Sequence, residues 1–167
     1  AELLDAMPPF LGGGDMISTV TMEKSTWAAL PAKFEAGTPP IAQAAGLGAA
    51  LEYVSGVGLE AIAAHENDLL NYTTQQLGSV EGLNIIGTAP NKTSVISFTM
   101  DCAHPHDIST IIDRAGVCVR AGHHCAQPLM ERMGVTATTR ASFGMYNTRE
   151  EADTLVAALE TVRELFG

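Results

Sequence analysis

The segment Ser94-Val-Ile-Ser-Phe-Thr-Met100 alternates Val95, Ser97 and Thr99 with Ile96, Phe98 and Met100. Side chains of an extended chain point to opposite faces in turn, so a period of two predicts a strand with one apolar face on a core and one polar face left open. Leu83–Ile86, "LNII", precedes it across the turn residues Ala89, Pro90, Asn91 and Lys92 and reads as the neighbouring strand. Downstream, Asp107 is placed to cap a helix whose apolar face is Ile108, Ile111, Ile112 and Ala115, with Gly116 as its left-handed stop. "VCVR", Val117–Arg120, reads as a returning strand in which Cys118 is a small buried hydrophobe. Pro128 opens a short helix ending at Gly134, and "TRASFGM", Thr139–Met145, is a further strand. The last helix starts on a capping box, Thr148 with Glu151, and lines up Ala152, Leu155, Val156, Leu159, Val162 and Phe166. Strands interleaved with helices give the α/β class, with helices covering one side of a small sheet.

Upstream the pattern is different. "MPPFLGGGDM" and "EAGTPP" bracket "MISTVTM", Met16–Met22, one strand of an expected hairpin, and Trp27 lacks neighbours in sequence to cover it. From Ile41, "IAQAAGLGAALEYV" is a helix rich enough in Ala and Gly for another backbone to approach closely. A second helix after Gly58 repeats Leu59, Ile62, Ala63, Leu70 and Leu77, and the two helices are expected to pack together.

Composition narrows the function classes. With 46% hydrophobic and 17% charged residues, 167 residues suffice for a core without disulfides. A net charge of -10 with 9 Lys and Arg opposes binding to a phosphate backbone. Neither a membrane-length apolar run nor a secretory leader is evident, and a cytoplasmic location is expected. Cys102, Cys118 and Cys125 are odd in number and lack CxxC spacing, so at least one thiol is expected free.

The chemistry concentrates in "VRAGHHCAQPLM", Val119–Met130. Arg120 and Arg132 flank Cys125 and Arg140 follows on the next strand; nearby cations favour the nucleophilic thiolate, and His123 and His124 can move protons near neutral pH. Spacing alone leaves three readings open: a polar surface turn, a cysteine nucleophile, or a zinc site drawing on Cys102, His104, His106, His123, His124 and Cys125. Arg140, on an otherwise small and apolar strand, fits either an internal salt bridge or a ligand carboxylate held by its planar fork.

"RAGHHCAQPLM" and "TRASFGMYNTREE", with "FEAGTPP" and "GLGAALEYV" before them, resemble the C-terminal portion of SufS-type, group II cysteine desulfurases of the class V aminotransferase-like family, over essentially the whole chain. The resemblance implies the C-terminal domain of a fold type I pyridoxal-phosphate enzyme, with a small, mostly antiparallel sheet: residues 1–40 a remnant of the large cofactor-binding domain, and 41–167 the small domain. It implies a homodimer that takes sulfur from L-cysteine, leaves alanine and passes a persulfide to iron-sulfur cluster assembly through an acceptor of the SufU or SufE kind, with selenocysteine lyase activity related. Cys125 would carry the persulfide, Arg140 clamp the substrate carboxylate, Arg120 sit beside the loop, His123 and His124 support it, and Thr38 reach the cofactor phosphate of the partner subunit. His106 is a candidate ligand for a partner's zinc, against a plain capping role for His104 and His106.

The family's cofactor lysine, in a Ser-x-His-Lys context, is expected upstream of this stretch. Lys24, Lys33 and Lys92 lack that setting, so these residues alone are expected to bind no cofactor and to be inactive. Self-association through uncovered apolar surface is a further expectation. The alternatives are a cofactor-free sulfur-acceptor or scaffold domain and a zinc-binding module.

Overall fold

The computed structural model describes residues 1–167, which fall into two compact units, Ala1–Gly56 and Val57–Gly167. In the first, helix α1 (Glu2–Ala6) is followed by a hairpin of β1 (Ile17–Val20) and β2 (Ser25–Trp27), antiparallel as the alternation of Met16–Met22 predicts. Thr21 closes the turn, its Oγ1 accepting from the Lys24 N–H at 3.1 Å. Met16 is fully buried, and Lys33 is nearly so because its ammonium donates to the carbonyls of Asp5 (2.7 Å) and Leu4 (3.5 Å). Buried charges persist where such oxygens replace water. Helix α2 (Ile41–Val57) is apolar around its circumference and buries none of its residues.

The second unit is a four-stranded antiparallel sheet of order β3-β4-β6-β5, made from Leu83–Ile86, Val95–Met100, Thr138–Ser142 and, for β5, Arg120–Gly122. Strand β4 follows its sequence period: Ile96, Phe98 and Met100 are buried in the core, while the alternate residues are half-buried. Helices α3 (Leu59–Leu77), α4 (Pro105–Asp113) and α6 (Arg149–Phe166) complete that core with Leu70, Leu77, Ile108, Ile112, Leu155, Leu159 and Val162. A short α5 (Gln127–Met133) ends at Gly134, whose φ of 71° is the left-handed stop expected there. The sheet is thus covered on one side by helices, in the α/β class read from the sequence. Between α3 and α6, Arg149 holds Asp68 through two nitrogens (2.8 and 3.2 Å) and lies 4.9 Å over the Tyr72 ring, and the Tyr72 hydroxyl donates to Asp153 at 2.6 Å. No single helix is long and apolar enough to cross a membrane.

Four local expectations are corrected. Helix α4 starts at Pro105, two residues before Asp107, and His104 caps it by accepting the His106 N–H on Nδ1 at 3.3 Å. Proline's fixed φ and missing N–H suit the first helical position, so Pro105 sets the start. The strand read at Val117–Arg120 is paired only from Arg120 onward, because its N-terminal part splays from Ser142 and Phe143 around a cleft of about 260 Å³ reaching the first turns of α6. Cys118, on that wall, is exposed rather than buried. Leu59 (64% exposed) and Phe166 (49%) fray from the apolar faces assigned to their helices, where no further turn covers them.

Candidate active site

The helix-free face of the sheet gathers the reactive residues. In β6, Thr139 and Ala141 turn toward the helices, so Thr138, Arg140 and Ser142 occupy the opposite face. Arg140 stands in register with Ser97 of β4 on one side and Arg120 of β5 on the other. Its Nε is buried and has no hydrogen-bond partner, so the internal salt bridge weighed for Arg140 does not form.

Beyond β5 the chain turns sharply at His123–Cys125. His124 and Cys125 have φ of 56° and 58°, two consecutive left-handed residues that are not glycine. His123 folds the turn onto itself: its Nδ1 accepts the Cys125 N–H at 3.2 Å, and its carbonyl accepts the Ala126 N–H at 2.9 Å. Cys125 is exposed, and Arg120 Nη2 donates to its Sγ at 3.6 Å. The thiol read as reactive and the arginine placed beside it thus do meet. His124 turns the other way, its Nε2 lying 2.8 Å from Thr138 Oγ1 and 3.2 Å from the Thr138 carbonyl. Burial first, and the Arg140 guanidinium second, push the His124 imidazolium below its ordinary range near 6.5. Its Nδ1 is buried without a partner.

The remaining candidates lie elsewhere. His104 and His106 stack at the first turn of α4, ring centroids 5.5 Å apart, and both are exposed. No group of three or more His, Cys, Asp or Glu side chains converges in a metal-holding arrangement. Thr38 is exposed in a bend of the first unit. Thr138, buried at 1%, is a residue that reading by type passed over: a threonine in a strand carries no signal until the ring that meets it is known.

With this geometry in hand, comparison with known proteins is specific. The aminotransferase class-V family model matches residues 1–155. A probable cysteine desulfurase of Streptomyces coelicolor is 54% identical over 168 residues, covering 99% of this chain and 40% of that protein. A cysteine desulfurase of Haloferax volcanii is 49% identical over 99% of this chain and 39% of its own length. Among solved structures, the cysteine desulfurase CsdA of Escherichia coli superposes with a TM-score of 0.87 at 37% identity over 99% of this chain and 41% of its own, and the apo cysteine desulfurase of Thermococcus onnurineus with 0.84 at 38% over 96% and 40%. The chain spans about 40% of the length of these relatives. With the family model covering residues 1–155, this chain belongs to the aminotransferase class-V family.

Proposed function

We propose that these residues are the C-terminal part of a pyridoxal-phosphate cysteine desulfurase of the SufS-like group, with residues 1–40 contributed to the large domain and 41–167 forming the small domain. The observation that carries the reading is the pairing of two functions on adjacent strands: Arg120 donates to the Cys125 thiol, while Arg140 keeps a buried N–H free for an acceptor. A substrate carboxylate completes that fork. Cys125 takes the sulfur: L-cysteine and the enzyme thiol become alanine and a persulfide, an exchange balanced in atoms and electrons without an outside oxidant. Exposure of Cys125 on a tight loop suits delivery of that sulfur to an acceptor of the SufU or SufE kind. His123 shapes the turn through the Cys125 N–H.

The donor set fits one end of the cofactor–substrate pair. Arg140 suits the carboxylate, and the exposed Thr38 hydroxyl is available to a phosphate across a homodimer. The lysines fit less well: Lys33 is committed to the carbonyls of Asp5 and Leu4, and Lys92 to that of Gly87 at 3.1 Å. Pyridoxal phosphate, when bound, supplies the electron sink that labilises the substrate C–S bond. We place its lysine outside this stretch, so these residues alone carry no turnover. Finding the cofactor fixed by borohydride reduction to Lys24, Lys33 or Lys92 of the 167-residue protein would overturn that.

The test of the whole reading uses the full-length enzyme. Cys125→Ala is expected to abolish persulfide formation and acceptor-dependent alanine release while leaving the cofactor spectrum intact. Unchanged alanine release from L-cysteine would refute it.

A further inference from the structure

Resting on the reading of Cys125 as the sulfur-accepting thiol, we infer that His124 and Thr138 form a positioning pair, in which a neutral imidazole pinned to the strand holds the left-handed turn that presents Cys125 to Arg120. Left-handed φ is unfavourable for a residue with a Cβ, and here two such residues follow one another. The local bonds from His123 close the turn but do not tie it to the sheet. The His124 ring does, at 2.8 Å from Thr138 Oγ1 and 3.2 Å from the Thr138 carbonyl.

The proton position follows from the partners. A carbonyl can only accept, so the ring hydrogen sits on Nε2 and Nδ1 keeps its lone pair. Nδ1 is buried without an acceptor, and protonating it would bury an unpartnered N–H on a charged ring. Arg140 from β6, Arg120 from β5 and His123 from the loop are the charged or titratable groups around it, and all oppose a further positive charge. His124 is therefore a fixed neutral tether rather than a proton carrier. Thr138 is a suitable anchor because it faces Gly122 across the β5–β6 ladder, two residues before the ring it holds. The pair acts through Cys125, and both members are positioning residues.

The experiment is a coupling cycle on the full-length enzyme, read as the iodoacetamide alkylation rate of Cys125 by peptide mass spectrometry, with Cys118 as internal reference. Thr138→Val removes the hydroxyl at nearly constant volume and is expected to slow Cys125 alkylation about threefold to tenfold, the scale of one net hydrogen bond. Thr138→Ser restores the parent rate. Arg120→Ala slows it as well, and the double variant is no slower than the worse single one, because both changes break the same presentation. His124→Asn, which keeps tolerance of positive φ, gives an independent second variant expected to slow alkylation by less than His124→Ala. Parent-like rates in Thr138→Val with the melting temperature retained, or effects that add with Arg120→Ala, overturn the pairing. In the full-length enzyme Thr138→Val is expected to lower kcat with KM for L-cysteine unchanged. A coupled cycle together with an active Cys125→Ala enzyme would uphold the tether and sink the proposed function instead; an additive cycle with an inactive Cys125→Ala enzyme would do the reverse.

Discussion

Arg140 and His124 are neighbours on the open sheet face, and each buries a nitrogen without a partner. For Arg140 the acceptor in the proposed function is the substrate carboxylate, so Arg140→Lys, which loses the planar fork, is expected to raise KM for L-cysteine in the full-length enzyme about tenfold to a hundredfold, the range for hydrogen bonds to charged groups. For His124 the consequence lies in pH. Its imidazolium is disfavoured in the folded protein relative to the unfolded chain, so the unfolded state binds the proton first. Stability from this residue is full above about 6.5 and falls as pH drops through that value toward the lower folded one. Urea melts between pH 7.5 and 5.5 should show a stability loss that is smaller in His124→Asn. At this scale the clustering of cationic types around a thiol made Cys125, Arg120 and Arg140 candidates, while their roles were implied only by the family resemblance. Thr138 was not legible, since its role comes from the strand register that faces it to Gly122.

Helix α6 begins on a complete capping box: Thr148 Oγ1 accepts the Glu151 N–H at 3.4 Å, and Glu151 Oε2 accepts the Thr148 N–H at 3.0 Å. Glu151 also accepts from Asn147, which fixes the turn leading out of β6, so this cap joins the site strand to its supporting helix. Thr148→Ala is expected to cost about 1 kcal/mol, read as a lowered urea midpoint at unchanged m-value. Phe98, fully buried at the centre of β4, should cost about 3–5 kcal/mol when cut to Ala. Both elements were plain in the sequence, one by its cap residues and one by its period of two. The start of α4 and the extent of β5 were not. A histidine cap competes poorly as a signal with an aspartate three residues on, and Val117–Val119 stay unpaired although β6 runs on through Ala141 and Ser142 opposite them.

Across the molecule, apolar side chains left in solvent concentrate in the first unit and α2. Leu47, Leu51 and Tyr53 are each about 60% exposed or more, on a helix without a single buried residue. The Ala- and Gly-rich composition suggested close packing, but the helix buries none of its residues here, and which surface it meets is not written in its own residues. Sedimentation of the 167-residue protein should give a mass rising with concentration in the micromolar range, and Leu47→Glu with Leu51→Glu should bring it back toward the monomer.

Arg120 and Arg140 are directly opposed across the β5–β6 ladder. Equal charges in that relation repel, and this sheet tolerates the repulsion where the thiol lies closest to one of them. Two like charges opposed in this register raise the energy of the folded protein, and an anion held between them would offset that cost. Heat resistance becomes a gauge of occupancy: sulfate should raise the melting temperature above that in chloride of equal ionic strength, and the gain should shrink in Arg140→Ala.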